Sequence, residues 1–155
     1  MDAIGRGIIA GFLATLVLSA VFDPVATLAR MADVLPPTFG WALHFIIGSL
    51  IWGASFALLQ TLLRGPFWLR GLLFGLGAWL IVMLGVMPFT RGGLFALKLG
   101  IAAPAVMLAI HVVYGVALGV IYGLLLPEDA LRADKERAHF FHGPWRDRLL
   151  HPFAH

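Results

Sequence analysis

The chain has no cysteine and few charged residues. None of its 155 residues is cysteine, and only 12% are Asp, Glu, Lys or Arg, against about 25% in soluble domains. Without cysteine the chain forms no disulfide framework, no thiolate-ligated zinc or iron–sulfur site and no thiol nucleophile. The scarcity of charge excludes an ordinary water-soluble domain, because such a domain needs a polar shell.

Catalytic sequence motifs are also missing. The chain has no HExxH, GxSxG or P-loop motif and no pair of carboxylates within a hydrophobic segment. Its basic residues lie beside hydrophobic segments and form no continuous stripe, so the net charge of +3 reflects membrane topology and not nucleic-acid binding. The tail residues His139 and His142 lie one helical turn apart, but their aromatic surroundings favour surface packing over a metal site. The sequence therefore favours a non-enzymatic protein without a metal.

Hydrophobic residues make up 61% of the chain and fall into four long runs. A helix needs about 20 apolar residues to cross a bilayer. The runs cover about Ile8–Ala29, Trp41–Leu63, Gly71–Phe89 and Leu99–Leu126. They predict an all-α fold in residues 1–126, an integral membrane four-helix bundle whose short connections leave no room for another domain.

Residues 127–155 form the one water-soluble segment of any length, an amphipathic tail. Its first half, Glu128–Ala138, mixes acidic and basic residues at helical spacings and predicts a solvated helix. Its second half combines aromatic residues with Arg146 and Arg148. This composition is typical of a segment that lies on the membrane surface or on a partner.

The distribution of Lys and Arg predicts the orientation of the bundle. One side would carry eight of them and the other side three. The eight are Arg6, Arg64, Arg70, Arg132, Lys135, Arg137, Arg146 and Arg148, and the three are Arg30, Arg91 and Lys98. The positive-inside rule then places the N terminus, the C terminus and the tail in the cytoplasm.

Small residues recur at every fourth position of the first and last runs. The first run has Gly7, Gly11, Thr15, Ser19 and Asp23 in one ridge, the last has His111, Gly115, Gly119 and Gly123, and the second has Gly48 and Gly53. Helices associate closely in lipid through such small residues. The ridges therefore predict helix contact faces, within the bundle or with another subunit.

Asp23, His44 and His111 are the ionisable residues expected inside the hydrophobic runs. His44–Gly48 and His111–Gly115 share the pattern of histidine, three apolar or aromatic residues and glycine. The shared pattern suggests two similar helix pairs with their histidines in equivalent places. Ionisable groups at such depth are costly and usually face the bundle interior, so the three residues are functional candidates.

Three interpretations of these residues remain open. In the first, the histidines bond to facing polar groups and fix the helix register, while Asp23 caps a break at Pro24 or pairs with a basic residue. In the second, His44 and His111 are axial ligands of a b-type haem, with glycines making room for the porphyrin. In the third, the three residues form a path for protons or a small solute.

Three stretches of the sequence resemble a family of small bacterial inner-membrane proteins that is known only as a domain of unknown function. They are GWALHFIIGSLIWGASFALL, FWLRGLLFGLGAWLIVMLGVMPF and APAVMLAIHVVYGVALGVIYGLL. The resemblance covers about residues 5–126 and leaves out the tail. It implies one four-helix membrane domain in a bacterial inner membrane, and it supplies no activity, ligand or partner.

The function expected from these observations is that of a non-enzymatic membrane subunit without a cofactor. Its partners would be the lipid bilayer and either another membrane subunit or a second copy of the chain. The alternatives are a bis-histidine b-haem protein and a proton-linked transporter of a small solute.

Overall fold

Four helices in the described residues are long and apolar enough to cross a membrane. The computed structural model describes residues 1–21 and 37–142. The helices are Ala3–Val21, Phe39–Leu59, Phe67–Phe89 and Ala103–Leu124, named here the first to fourth spans. The described part contains no β-strand. The predicted all-α class with four membrane helices is confirmed.

The third and fourth spans begin at other residues than predicted, and a proline lies at each of these starts. The third span begins at Phe67, four residues before the predicted Gly71, because Pro66 is extended (ψ 158°) and starts the helix. The fourth begins at Ala103, with Pro104 in its first turn, and not at Leu99. The first begins at Ala3, and its predicted end at Ala29 lies outside the described residues.

The second and third spans each contain a π-helical segment. In the second span it covers Ile47–Gly53, between α-helices Pro37–Ile46 and Ala54–Leu59. In the third span it covers Val82–Val86, between the α-helix Phe67–Ile81 and the 3-10 turn Met87–Phe89. Such wider turns are rare and frequently mark functional sites.

Glycines join the spans into two close helical hairpins. In the first hairpin, a methyl group on Gly7 would overlap the Gly53 carbonyl, and one on Gly11 would overlap the Gly48 carbonyl. In the second hairpin the overlapping pairs are Gly71 with the Gly115 carbonyl, Gly75 with the His111 carbonyl and Gly119 with the Phe67 carbonyl. The backbones therefore approach as closely as small residues allow.

The hairpins meet through the first and fourth spans. The first span packs on the second and the fourth, and the third packs on the fourth. The second and third spans meet through aromatic rings, with Phe74 at 5.3 Å from Phe56 and 6.0 Å from Trp52 between centroids. Beyond these rings the two spans leave a gap.

The outer faces of the spans carry the large apolar side chains. On the first span, Ala10, Ala14 and Thr15 are buried, while Phe12 and Leu16 are exposed. Large residues outside and small residues inside are expected of helices that pack in lipid. The pattern supports a membrane location for the bundle.

The connection between the third and fourth spans folds back against the bundle. Phe95 and Ala96 adopt left-handed conformations (φ 52° and 57°), which are unfavourable for residues with a Cβ. Ala96 is fully buried against Met83, Met87 and Met107. The connection therefore forms a packed cap and not a free loop, and it includes residues 99–102, which the sequence assigned to the start of the fourth span.

Arg70 stabilises the connection between the second and third spans through hydrogen bonds. Although basic, it is only 6% exposed. Its Nε donates to the Gly65 carbonyl at 2.7 Å, its Nη1 donates to Gln60 Oε1 at 3.1 Å, and its guanidinium lies 4.6 Å from the Phe67 ring centre. The buried guanidinium thus has two hydrogen-bond acceptors and an aromatic ring close to it, in the first turn of a membrane helix.

The tail forms a second unit, residues 126–155. It contains the predicted helix, observed as Glu128–His142. Glu128 and Arg132 form an exposed ion pair at 3.5 Å, a kind of pair that contributes little to stability. The predicted surface-binding residues from position 143 onward lie outside the described residues.

Candidate functional site

A cavity of about 430 Å³ lies in the half of the bundle away from Met1 and Leu125. All four spans line it. Its walls are formed by Thr15 and Leu18 of the first span, His44, Ile47, Gly48, Ile51 and Trp52 of the second, Ala78, Ile81, Val82, Val86 and Met87 of the third, and Met107, Ile110, His111 and Tyr114 of the fourth. No charged side chain is among these lining residues.

The cavity opens sideways between the second and third spans. Ile51 on one lip is 52% exposed, and Ile81 and Val86 on the other lip are 59% and 48% exposed, although all three line the cavity. In a membrane these side chains face lipid. The cavity is therefore a cleft that a molecule can enter from the bilayer.

Each lip of the cleft contains a π-helical turn. Ile47–Gly53 contributes four of the lining residues on the second span, and Val82–Val86 contributes two on the third. A π-helical turn is wider than an α-helical turn and redirects the side chains that follow it. The two irregular turns thus coincide with the place where these spans separate.

The imidazole of His111 is held by its own helix. Its Nδ1 lies 2.8 Å from the Met107 carbonyl oxygen. A carbonyl only accepts hydrogen bonds, so Nδ1 carries the hydrogen. In the neutral ring Nε2 then keeps its lone pair.

The imidazole of His44 has the opposite arrangement. Its Nε2 lies 3.2 Å from the Ser19 hydroxyl, and that hydroxyl donates its one hydrogen to the Thr15 carbonyl at 2.8 Å. With that hydrogen on Thr15, Ser19 accepts from His44, and the assigned tautomer of His44 has its hydrogen on Nε2. The lone pair of the neutral ring is on Nδ1.

The hydroxyl groups on the wall also use their hydrogens within the protein. Tyr114 donates to the Gly48 carbonyl at 2.5 Å, and Thr15 donates to the Gly11 carbonyl at 2.7 Å. Both bonds are buried. The Tyr114 bond holds the fourth span to the second, and the Thr15 bond fixes that side chain against its own helix.

A match to a known family covers most of the chain. Residues 1–132 match a family of unknown function, DUF6789. The chain belongs to this DUF6789 family. No curated protein and no solved structure matches it.

In this DUF6789 chain, two of the three ionisable residues singled out by sequence share the cleft. His44 and His111 both line it, whereas Asp23 lies outside the described residues. Of the ridge glycines only Gly48 lines the cleft. The others, Gly7, Gly11, Gly53, Gly115 and Gly119, lie in the hairpin contacts, and Gly123 lies against the Phe67 ring.

Sequence reasoning did not identify Tyr114 or Trp52 as parts of the site. Tyr114 had one usable signal, because a phenol deep in a membrane span must find an acceptor. Trp52 had no such signal in the sequence, because it lines the cleft only where the second and third spans lie apart. Within the described residues no three His, Cys, Asp or Glu side chains lie close enough to hold a metal ion.

Proposed function

We propose that this protein is a non-enzymatic membrane protein that binds a neutral lipophilic molecule in the cleft. The observation that carries the proposal is the lateral opening between the second and third spans. A molecule dissolved in the bilayer would enter there and place its apolar part against Ile51, Ile81 and Val86. Its polar group would lie near the two imidazoles.

The chemistry of the wall supports a neutral ligand. An ion in the cleft would need a counter-charge, and the lining residues that the structure describes include none. Apolar walls with a few placed polar groups are typical of small-molecule sites. Six of the lining residues belong to the π-helical lips, as is frequent at functional sites.

Photo-crosslinking in lipid nanodiscs tests the proposal. A neutral alkyl probe with a diazirine group should label cleft residues in a saturable way, and excess unlabelled lipophile should prevent the labelling. Ile81→Trp should fill the entrance and weaken saturable labelling about tenfold. Leu80→Trp is the matched control, because Leu80 is exposed but does not line the cleft.

Two results would count against the proposal. One is labelling that rises linearly with probe and resists competition, which indicates only contact with bulk lipid. The other is an equal effect of the two tryptophan substitutions, because the entrance would then have no special role.

A second candidate function is b-haem binding, and the sharing of one cavity by His44 and His111 favours it. The bond from His111 Nδ1 to a backbone carbonyl is the usual support for a histidine that binds metal through Nε2. His44 would have to release Ser19 before its own Nε2 became a ligand. An absorbance spectrum tests this function, since a bis-histidine haem gives a Soret band and a reduced α-band that His111→Ala should abolish.

We also infer an orientation with both chain ends in the cytoplasm, in a bacterial cytoplasmic membrane as the family resemblance implies. The division of Lys and Arg, eight against three, supports it. The lack of native cysteine makes single-cysteine labelling clean. Leu97→Cys should react with an impermeant maleimide on intact cells, and Asp129→Cys should react only after lysis. The reverse result would overturn the orientation.

Association with another membrane subunit or with a second copy stays a proposal. The glycine ridges that suggested it pack within the chain, so a partner would have to use the outer apolar faces. Co-purification in mild detergent, with and without residues 127–155, tests the association.

A further inference from the structure

The polar side of the cleft offers acceptors and few donors. His111 uses its Nδ1 hydrogen on Met107, and His44 uses its Nε2 hydrogen on Ser19. The hydroxyls of Tyr114 and Thr15 use theirs on backbone carbonyls. The groups left over are two imidazole lone pairs, on His111 Nε2 and His44 Nδ1.

One side-chain donor on the wall remains. The indole N–H of Trp52 has no acceptor among the described residues, and its ring packs edge-on against Phe74. The described wall therefore carries two imidazole lone pairs and one indole N–H that are not used within the protein. A ligand that brings only acceptors would satisfy the indole at best and leave both imidazole nitrogens unpaired.

Unpaired polar groups in an apolar site are costly, so they discriminate between ligands. A carbonyl or an ether brings no hydrogen to an imidazole lone pair. A hydroxyl group does, and it also accepts from an N–H. A charged ammonium group would bring hydrogens too, but none of the described lining residues would give it a counter-charge.

We propose that the cleft selects lipophilic molecules that carry a hydroxyl group, such as long-chain alcohols or quinols, and that the two imidazole lone pairs accept their hydrogens. This inference rests on the proposed lipophile-binding function and names its ligand class. The hydroxyl would donate to His111 Nε2 or His44 Nδ1. The apolar part of the molecule would extend towards the lips of the cleft.

A matched pair of probes tests the inference on the full chain in nanodiscs. A long-chain isoprenoid alcohol and its methyl ether differ only in the hydroxyl hydrogen and one methyl group. Each competes with the diazirine probe for the cleft. The alcohol should compete about three- to tenfold better than the ether, the difference expected for one neutral hydrogen bond.

Substitutions assign this preference to the imidazole. His111→Leu and His44→Leu should each lower the alcohol-to-ether ratio, and the double variant should bring it close to one, because leucine has no lone pair. His111→Asn should keep part of the ratio, because its side-chain oxygen accepts a hydrogen bond. If His111→Leu does not fold, the ratio measured on the unchanged protein still decides the ligand class, and His44→Leu and His111→Asn test the imidazoles.

The outcomes separate this inference from the function on which it rests. Saturable binding in which the ether equals or exceeds the alcohol would overturn the ligand class and leave lipophile binding intact. A preference for the alcohol that His111→Leu and His44→Leu both leave unchanged would overturn the role of the imidazoles. Absence of saturable binding by either probe would overturn the proposed function and the inference together.

Discussion

The hydroxyl of Tyr114 donates a hydrogen bond to the carbonyl of Gly48, a residue 66 positions earlier in the chain. The bond joins the fourth span to the π-helical turn of the second span. Gly48 also accommodates the hydroxyl of Thr15 where a Cβ would stand. Three spans therefore meet at this point, on the wall of the cleft.

Tyr114→Phe should lower the free energy of unfolding by about 1–2 kcal/mol, because it removes the donor and leaves a buried carbonyl with fewer partners. Tyr122→Phe is the control on the same span, since Tyr122 is also buried but its hydroxyl donates to no acceptor among the described residues. Denaturation by SDS in mild detergent, followed by circular dichroism, measures both. An equal loss in the two variants would contradict the role of the bond to Gly48.

Gly115→Ala should destabilise the second hairpin by about 1–3 kcal/mol, the usual cost of overpacking. The new methyl group would overlap the Gly71 carbonyl, and backbone atoms yield less easily than side chains. Gly77→Ala is the matched control, because a methyl group there meets nothing within 4 Å. That control should keep or gain stability, by up to about 1 kcal/mol, because alanine favours helix. If Gly115→Ala is as stable as Gly77→Ala, the close hairpin contact is wrong.

Arg70→Lys should weaken the connection between the second and third spans although it keeps the charge. Lysine has no planar group that reaches the Gly65 carbonyl and the Gln60 amide together, so we expect a loss of about 1–2 kcal/mol. Arg64→Lys, at an exposed position in the same connection, should cost little. Thermal unfolding in detergent compares the two substitutions, and a larger loss at Arg64 would refute the fastening role of Arg70.

Nitrogen NMR of selectively labelled histidine should show opposite tautomers in the cleft. His111 should carry its hydrogen on Nδ1 and His44 on Nε2, because their partners are a carbonyl and an accepting hydroxyl. Ser19→Ala should remove the preference of His44 for the hydrogen on Nε2, and it should leave the His111 signals unchanged. The same tautomer at both sites would remove the basis for hydroxyl selection.

The membrane fold was predictable because apolar length in a bilayer determines helix number directly. The ends were less predictable. Pro66 starts the third span earlier than the hydropathy suggests, and the left-handed Phe95 and Ala96 turn an apolar stretch into a cap. Both effects arise from local backbone geometry. Hydropathy averaged along the sequence does not detect such geometry.

The candidate site was predictable only in part. Histidine within a span is rare enough to identify His44 and His111 as candidates, and the glycine spacing indicated helix contact faces. The cleft itself depends on which pair of helices fails to pack, and this follows from the two hairpins meeting through the first and fourth spans. Ser19 and Met107 determine which nitrogen of each imidazole carries the hydrogen. The arrangement of donors and acceptors in the cleft could therefore be learned only from the structure.

The position of the cleft gives the protein a sidedness in the bilayer. Its lining residues lie at the middle of the spans and in the half of the bundle away from Met1 and Leu125, while the other half is closed by the rings of Phe56, Phe74 and Tyr122. A ligand would therefore be drawn from one leaflet only. In the orientation proposed above, with both ends in the cytoplasm, this would be the outer leaflet, and a lipophile made at the inner leaflet would have to flip before it met this protein.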